Sequence, residues 1–120
     1  MIAVFDTNIV IDALNGVQAA DAEYARYDRV LISLITWIEV LVGASEDEDG
    51  VRDFLGSRFE VVPLDESVAE TTIAVRRSRR LRLPDAIILA TAQVHDAELV
   101  TRNTKDFDSA WGGIRVPYAI

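Results

Sequence analysis

The chain has 120 residues, half of them hydrophobic and 27% charged, a globular balance that fits one domain over residues 1–120 and excludes a disordered or fibrous protein. It has no cysteine, so neither a disulfide framework nor a thiolate zinc site is available. With 20 Asp and Glu against 12 Lys and Arg the formal net charge is −8, which taken alone argues against a nucleic-acid binder.

Residues 1–6 lack a basic leader region and reach Asp6 too early for a signal peptide. Residues 2–5 read as an apolar strand ending at Asp6. Residues 8–14 follow with helical spacing of Ile9, Val10, Ile11 and Leu14, and Gly16 is the stop. Residues 19–27 read as a second helix, 30–34 as a second strand, and 36–44 as a helix that is apolar on nearly every side except at Glu39. The longest apolar stretch, residues 31–44, is shorter than a membrane span and contains that glutamate, so the expectation is a cytoplasmic protein with no membrane partner. The acidic block Glu46 to Asp49 reads as a solvated loop before a short helix at 51–55. Residues 59–64 read as a strand, and 66–80 as a long amphipathic helix whose end opens the basic run Arg76, Arg77, Arg79, Arg80 and Arg82. Pro84 opens a further helix reaching Gln93 or His95, 98–101 is a strand, and 114–116 an edge strand. This alternation predicts an α/β fold, a central and mainly parallel sheet with helices on both faces, and ligands gathered at the carboxyl ends of the strands.

Four acids in separate segments, Asp6, Glu39, Asp85 and Asp106, each interrupt or end an apolar run. A carboxylate carried into a packed interior is costly unless something neutralises it, so the pattern points to a cluster around a cation. Each acid has a plainer reading too: Asp6 as a helix N-cap, Glu39 on a solvent stripe, Asp85 favouring the dipole of the helix that Pro84 opens, and Asp106 as a turn residue. Together they form an all-oxygen set suited to Mg²⁺, with Mn²⁺ as a substitute, and to hydrolysis of phosphodiesters. Other chemistries are poorly supplied. His95 and Lys105 are the only residues of their types, His95 reads as structural or as a cap, and no phosphate-binding glycine loop or nucleophile elbow is present.

The segments Val4-Phe5-Asp6-Thr7-Asn8, Ser33 to Glu39, Leu83-Pro84-Asp85 onward to Ala92, and Leu99 to Phe107 resemble the successive motifs of PIN-domain nucleases. In length and order they are most similar to VapC-type toxins of bacterial toxin–antitoxin pairs. The resemblance implies a PIN-like domain acting as a Mg²⁺- or Mn²⁺-dependent endoribonuclease. It places Asp6, Glu39 and Asp85 as the principal metal-holding acids, with Thr7, Asn8 and Thr101 in support. Relatives carry a fourth acid either where this chain has Asn103 or three residues later, which makes Asp106 the expected fourth ligand and Asn103 its helper. The resemblance also implies a cognate, VapB-like antitoxin with a basic side chain among the acids, and a homodimer, for which apolar surface at Trp37 or Trp111 is the candidate. RNA would then be held at the rim by Arg82, Arg102, Lys105 and part of the run from Arg76.

Three rivals remain. A receiver-type Mg²⁺-binding domain needs an adjacent acidic pair after the first strand and a late Lys-Pro, neither of which is present, and a haloacid-dehalogenase-type phosphatase needs Asp-x-Asp where this chain has Asp6-Thr7-Asn8. A catalytically silent PIN-like scaffold that binds RNA or protein is separated only by activity.

Overall fold

The computed structural model describes residues 1–119. Five strands, β1 (Ile2–Phe5), β2 (Arg29–Ser33), β3 (Glu60–Val62), β4 (Glu98–Val100) and β5 (Ile114–Arg115), form one sheet in the order β3-β2-β1-β4-β5. Every pairing is parallel, so the sheet is wholly rather than mainly parallel. Six helices connect the strands: α1 (Thr7–Leu14) and α2 (Gln18–Tyr24) after β1, α3 (Leu34–Val42) and α4 (Glu48–Arg58) after β2, and α5 (Glu66–Ser78) and α6 (Leu83–Val94) after β3.

The period-two alternation of the strands sorts the core into two layers. Ala3, Phe5, Val30, Ile32 and Val100 face a layer completed by residues of α1, α3 and α4, whereas Val4, Leu31 and Leu99 face one completed by α5 and α6. Helix α6 is buried continuously from Asp85 to Ala92, the central packed helix that its small and apolar residues predict. His95 is its C-cap.

Several boundaries differ from the sequence expectation for local reasons. Ser33 ends β2 and caps α3, its hydroxyl accepting from the Ile35 N–H at 3.2 Å, so the helix starts at Leu34. The acidic block is not simply a loop: Asp47 caps α4, accepting from the Gly50 N–H at 3.3 Å, and Glu48 and Asp49 occupy the first turn, where negative charge suits the helix dipole. Helix α2 ends at Tyr24, which lets Tyr27 turn into the core against Phe5. Helix α5 ends at Ser78, and Arg79 is extended.

The strand order places the site. From β1 the chain winds outward through β2 and β3, then returns to add β4 and β5 on the other side. The carboxyl ends of β1 and β4 therefore lie side by side where the winding reverses, the position at which doubly wound sheets open a crevice. This order also differs from the 2-1-3-4-5 order of the flavodoxin-like fold to which receiver domains belong. No helix among the described residues is long and apolar enough to cross a membrane.

Candidate active site

Asp6 leaves β1 directly into that crevice and is buried. It is also the N-cap of α1, the plainer of its two readings: Oδ1 accepts from the Thr7 N–H at 2.8 Å while Oδ2 accepts from the Thr101 hydroxyl at 2.7 Å and from Asn8 Nδ2 at 3.2 Å. Its own N–H donates to the Val100 carbonyl at 2.9 Å, which pins it to β4. Capping thus directs one oxygen to the helix and leaves the other turned toward Thr101.

Glu39 extends from the middle of α3 and is exposed, in contrast to Asp6 and Asp85. The Thr7 hydroxyl donates to its Oε1 at 2.8 Å and lies 3.0 Å from the Thr36 hydroxyl. A hydroxyl has one proton, so with Thr7 donating to the carboxylate it is Thr36 that donates to Thr7. The relay Thr36 to Thr7 to Glu39 fixes the glutamate from behind. Thr36 carries no assignment from the sequence. Its only signal there is a hydroxyl three residues ahead of Glu39, hence on the same helix face.

Asp85 sits in the first turn of α6, where Pro84 sets the helix start. It is buried, and its Oδ2 has no hydrogen-bond partner; the nearest cation is the Arg82 Nε at 3.6 Å. Asp106 is half-buried and is joined to Asn103 twice, accepting from Asn103 Nδ2 at 2.9 Å and donating its N–H to Asn103 Oδ1 at 3.1 Å. The Asn103 N–H donates in turn to the Thr101 hydroxyl oxygen at 2.9 Å. Loop 101–106 is therefore one hydrogen-bonded unit, in which Asn103 is the support of Asp106.

The electrostatics link these groups. Burial pushes the Asp6 carboxyl above its ordinary range, the Thr101 and Thr7 donors oppose this, and the charges of Asp85 and Glu39 push it further up. Burial likewise raises Asp85; Arg82 opposes it, and Asp106 and Glu39 add to it. Among the described residues no three or more Asp, Glu, His or Cys are close enough to close on one ion. The donor set nonetheless fits a hard divalent cation: it is all oxygen, and the orphaned Asp85 Oδ2 is a buried anionic acceptor whose hydrogen-bonding capacity nothing in the protein meets.

The rim cations divide. Arg82 is exposed beside Asp85, and Lys105 is exposed with no ion pair among the described residues. Arg102, expected at the same rim, instead closes a bidentate pair on Asp12 of α1, with Nε at 2.7 Å and Nη2 at 3.1 Å. Tyr118 donates to the same carboxylate at 2.8 Å, and the Arg102 N–H donates to Asn8 Oδ1 at 3.2 Å. Arg102 thus ties α1 to the site loop. The buried Asp12 that holds it stands in the sequence between Ile11 and Ala13, a charge in an apolar run of the same kind that marks the other acids. Trp37 and Trp111 are both half-buried, the first under Arg52 and the second under Arg79, and Trp37 lines an open hollow with the exposed Ile38 and Val42.

A family model described as the PIN domain matches residues 3–110. No curated protein matches the chain. Among solved structures, the chain is similar to one in a toxin–antitoxin complex from Klebsiella pneumoniae, at 46% identity over 98% of this chain and 99% of that one, with a TM-score of 0.90. It is also similar to FitAcB from Neisseria gonorrhoeae, at 23% identity over the full length of both chains and a TM-score of 0.75. A third similarity is to VapBC2 from Rickettsia felis bound to a DNA fragment from their promoter, at 22% identity, 95% and 96% coverage and a TM-score of 0.78. The last two likenesses are of fold.

Proposed function

The chain belongs to the PIN domain family, and from that premise we propose that it is a metal-dependent endoribonuclease and the toxin of a toxin–antitoxin pair. The observation that carries the nuclease reading is that Asp6 and Asp85 are both buried, each pushed up chiefly by that burial and further by the charge of Glu39, with the Asp85 Oδ2 left without a hydrogen-bond partner. Asp6, Glu39, Asp85 and Asp106 would hold Mg²⁺ or Mn²⁺, with Asn103 in support of Asp106. When bound, such an ion supplies positive charge at the reacting phosphate and makes water a better nucleophile.

The chain's own residues do the rest. Thr101 and the Thr7 N–H favour the ionised form of Asp6 and fix its orientation, and the Thr36–Thr7 relay aims Glu39. Hydrolysis joins a water oxygen to phosphorus as the bond to the leaving ribose oxygen breaks. Glu39, the most solvent-accessible of the four, is placed to take the water's proton. Arg82, 3.6 Å from Asp85, and Lys105 would steady neighbouring phosphates.

The toxin reading is supported by the 46% identity to a chain of the Klebsiella pneumoniae toxin–antitoxin complex. It has a matching surface. A groove of about 520 Å³ between α1 and α3 is lined by Ile11, Leu14 and Val40 and bordered by Glu39, Glu46 and Asp47. On α3, Ile38 and Val42 are exposed and line a separate hollow with Trp37, Leu41 and Arg52. An antitoxin segment with apolar anchors and a basic residue reaching toward Glu39 fits that mixture. A homodimer and a cytoplasmic setting belong to the same proposal.

One observation favours a binding scaffold that does not cut: the splayed carboxylates do not close on a single point. Incubation of purified, antitoxin-free protein with total cellular RNA separates the two readings. Discrete cuts with Mg²⁺ or Mn²⁺, lost in EDTA and in Asp6→Asn, are the expected result; intact RNA with either metal sinks the nuclease reading.

A further inference from the structure

Of the 12 Lys and Arg, all but five are in ion pairs with carboxylates among the described residues. The five are Arg76, Arg77, Arg79, Arg80 and Lys105. Such segregation is unexpected in a chain of net charge −8, in which an arginine placed at random would meet an acid.

The five lie on one side of the site. Residues 76–82 wall a concavity of about 470 Å³, and Arg76, Arg77 and Arg80 are exposed there. The segment ends at Arg82, 3.6 Å from Asp85. Six residue steps separate Arg76 from Arg82, a reach of at most about 22 Å. Trp111 joins the two halves of this surface. Its ring lies 4.0 Å beneath the Arg79 guanidinium, and it lines a second hollow with Lys105 and Asp106. Trp111 also packs against the core layer that contains Val75, Leu81 and Phe107, so the stack stands on the core.

We propose that this strip is an RNA-docking surface outside the carboxylate cluster: Arg76, Arg77 and Arg80 bind successive phosphates of the strand leading to the cut site, and an unpaired base stacks on the outer face of the Arg79–Trp111 pair. The inference rests on the nuclease reading for its substrate. An acidic crevice repels a polyanion, so attraction must come from beside it, and this strip together with Lys105 is the uncompensated positive surface that the described residues offer. A guanidinium held against an aromatic ring is a ready platform for a base, and such stacking selects unpaired nucleotides over duplex. An acidic peptide would use the arginines and leave the stack unexplained.

The test is binding of a fluorescein-labelled, 20-nucleotide RNA of mixed sequence in EDTA, followed by anisotropy across a salt series, so that it does not depend on cleavage. For a single strand each neutralised phosphate contributes about 0.7 to the slope of log K against log salt. The variant Arg76→Gln/Arg77→Gln/Arg80→Gln is expected to lower that slope by about 2, and the corresponding Lys triple to retain it. In a Trp37→Phe background RNA should quench the emission of Trp111, and absence of quenching overturns the stacked base. A slope in the Gln triple equal to that of wild type, or no RNA binding by wild type, overturns the docking surface. If the RNA slope is unchanged and binding of poly-glutamate is lost instead, the strip takes an acidic peptide and the inference falls. Metal-dependent cleavage is scored separately: cleavage with an unaltered slope leaves the nuclease reading standing without this surface, and an altered slope without cleavage leaves the surface standing without the nuclease.

Discussion

The Thr101 hydroxyl donates to Asp6 Oδ2 at 2.7 Å, joining positions 95 residues apart across the β1–β4 boundary. It holds down a carboxyl that burial and two neighbouring acids push up. Thr101→Val removes the donor and leaves the shape. The Asp6 carboxyl should then rise further, so the acidic limb of the pH–activity profile moves to higher pH while the alkaline side of the profile is little changed. Stability should drop by about 2 kcal/mol, because the lost bond is to a charged group and the Asn103 N–H loses its acceptor as well. A parallel loss at every pH would show that Thr101 does not act through Asp6.

Asp85→Asn should stabilise the metal-free protein while abolishing cleavage. The sign follows from linkage. The folded Asp85 titrates above its unfolded value of 3.8, so the folded state binds more protons; its favourable contribution is complete below that value and is lost as pH rises through the raised one. Wild type and variant should melt together in acid and separate toward neutrality, the variant being more stable by roughly 1 kcal/mol there. Thermal melts in EDTA from pH 4 to 8 read this directly.

Adding Mg²⁺ should reverse that ordering. A ligand confined to the folded state at 100 times its dissociation constant stabilises by about 2.7 kcal/mol. Wild type should gain this and Asp6→Asn should gain little. Equal gains in both would place the stabilising ion elsewhere.

Arg102→Ala should behave as a structural change. It strands the buried Asp12 with Tyr118 as its remaining partner, at a cost of about 2–3 kcal/mol. Measured on folded protein, its effect on the salt dependence of RNA binding should be small. A slope reduced by about 0.7 would instead return Arg102 to the RNA-contacting rim.

Val42→Asp and Ile38→Glu alter exposed positions of α3, so urea midpoints should barely move. Affinity for a co-expressed antitoxin should fall at least tenfold if its apolar anchors lie along this helix. Undiminished affinity would move the antitoxin to another face.

The strand alternation that orders the sheet and the run of small apolar residues in α6 are legible in the sequence because period and composition are local properties. The four carboxylates stand out because each interrupts such a pattern. What was not legible depends on partners distant in the chain. Arg102 resembles a free rim cation until the fold brings Asp12 to it. Thr36 is one hydroxyl among many until Thr7 lies 3.0 Å away. Asp47 and its acidic neighbours read as loop because their charge obscures the start of a helix that their dipole interaction favours. Glu39 carries two readings in the sequence, a buried ligand and a residue on a solvent stripe, and α3 turns it outward as the second has it.

The site draws on both ends of the chain: Asp6 comes from the first strand, and Thr101 and Asp106 follow the fourth. During synthesis from the amino end, the segment holding Asp6 emerges first and has no β4 to dock against, so its carboxylate stays in water without its partners. No nascent chain that stops before residue 106 contains all four acids, so a ribosome that stalls there releases a fragment unable to assemble them. By this order of assembly a competent site is met only after the loop that follows β4 has been translated.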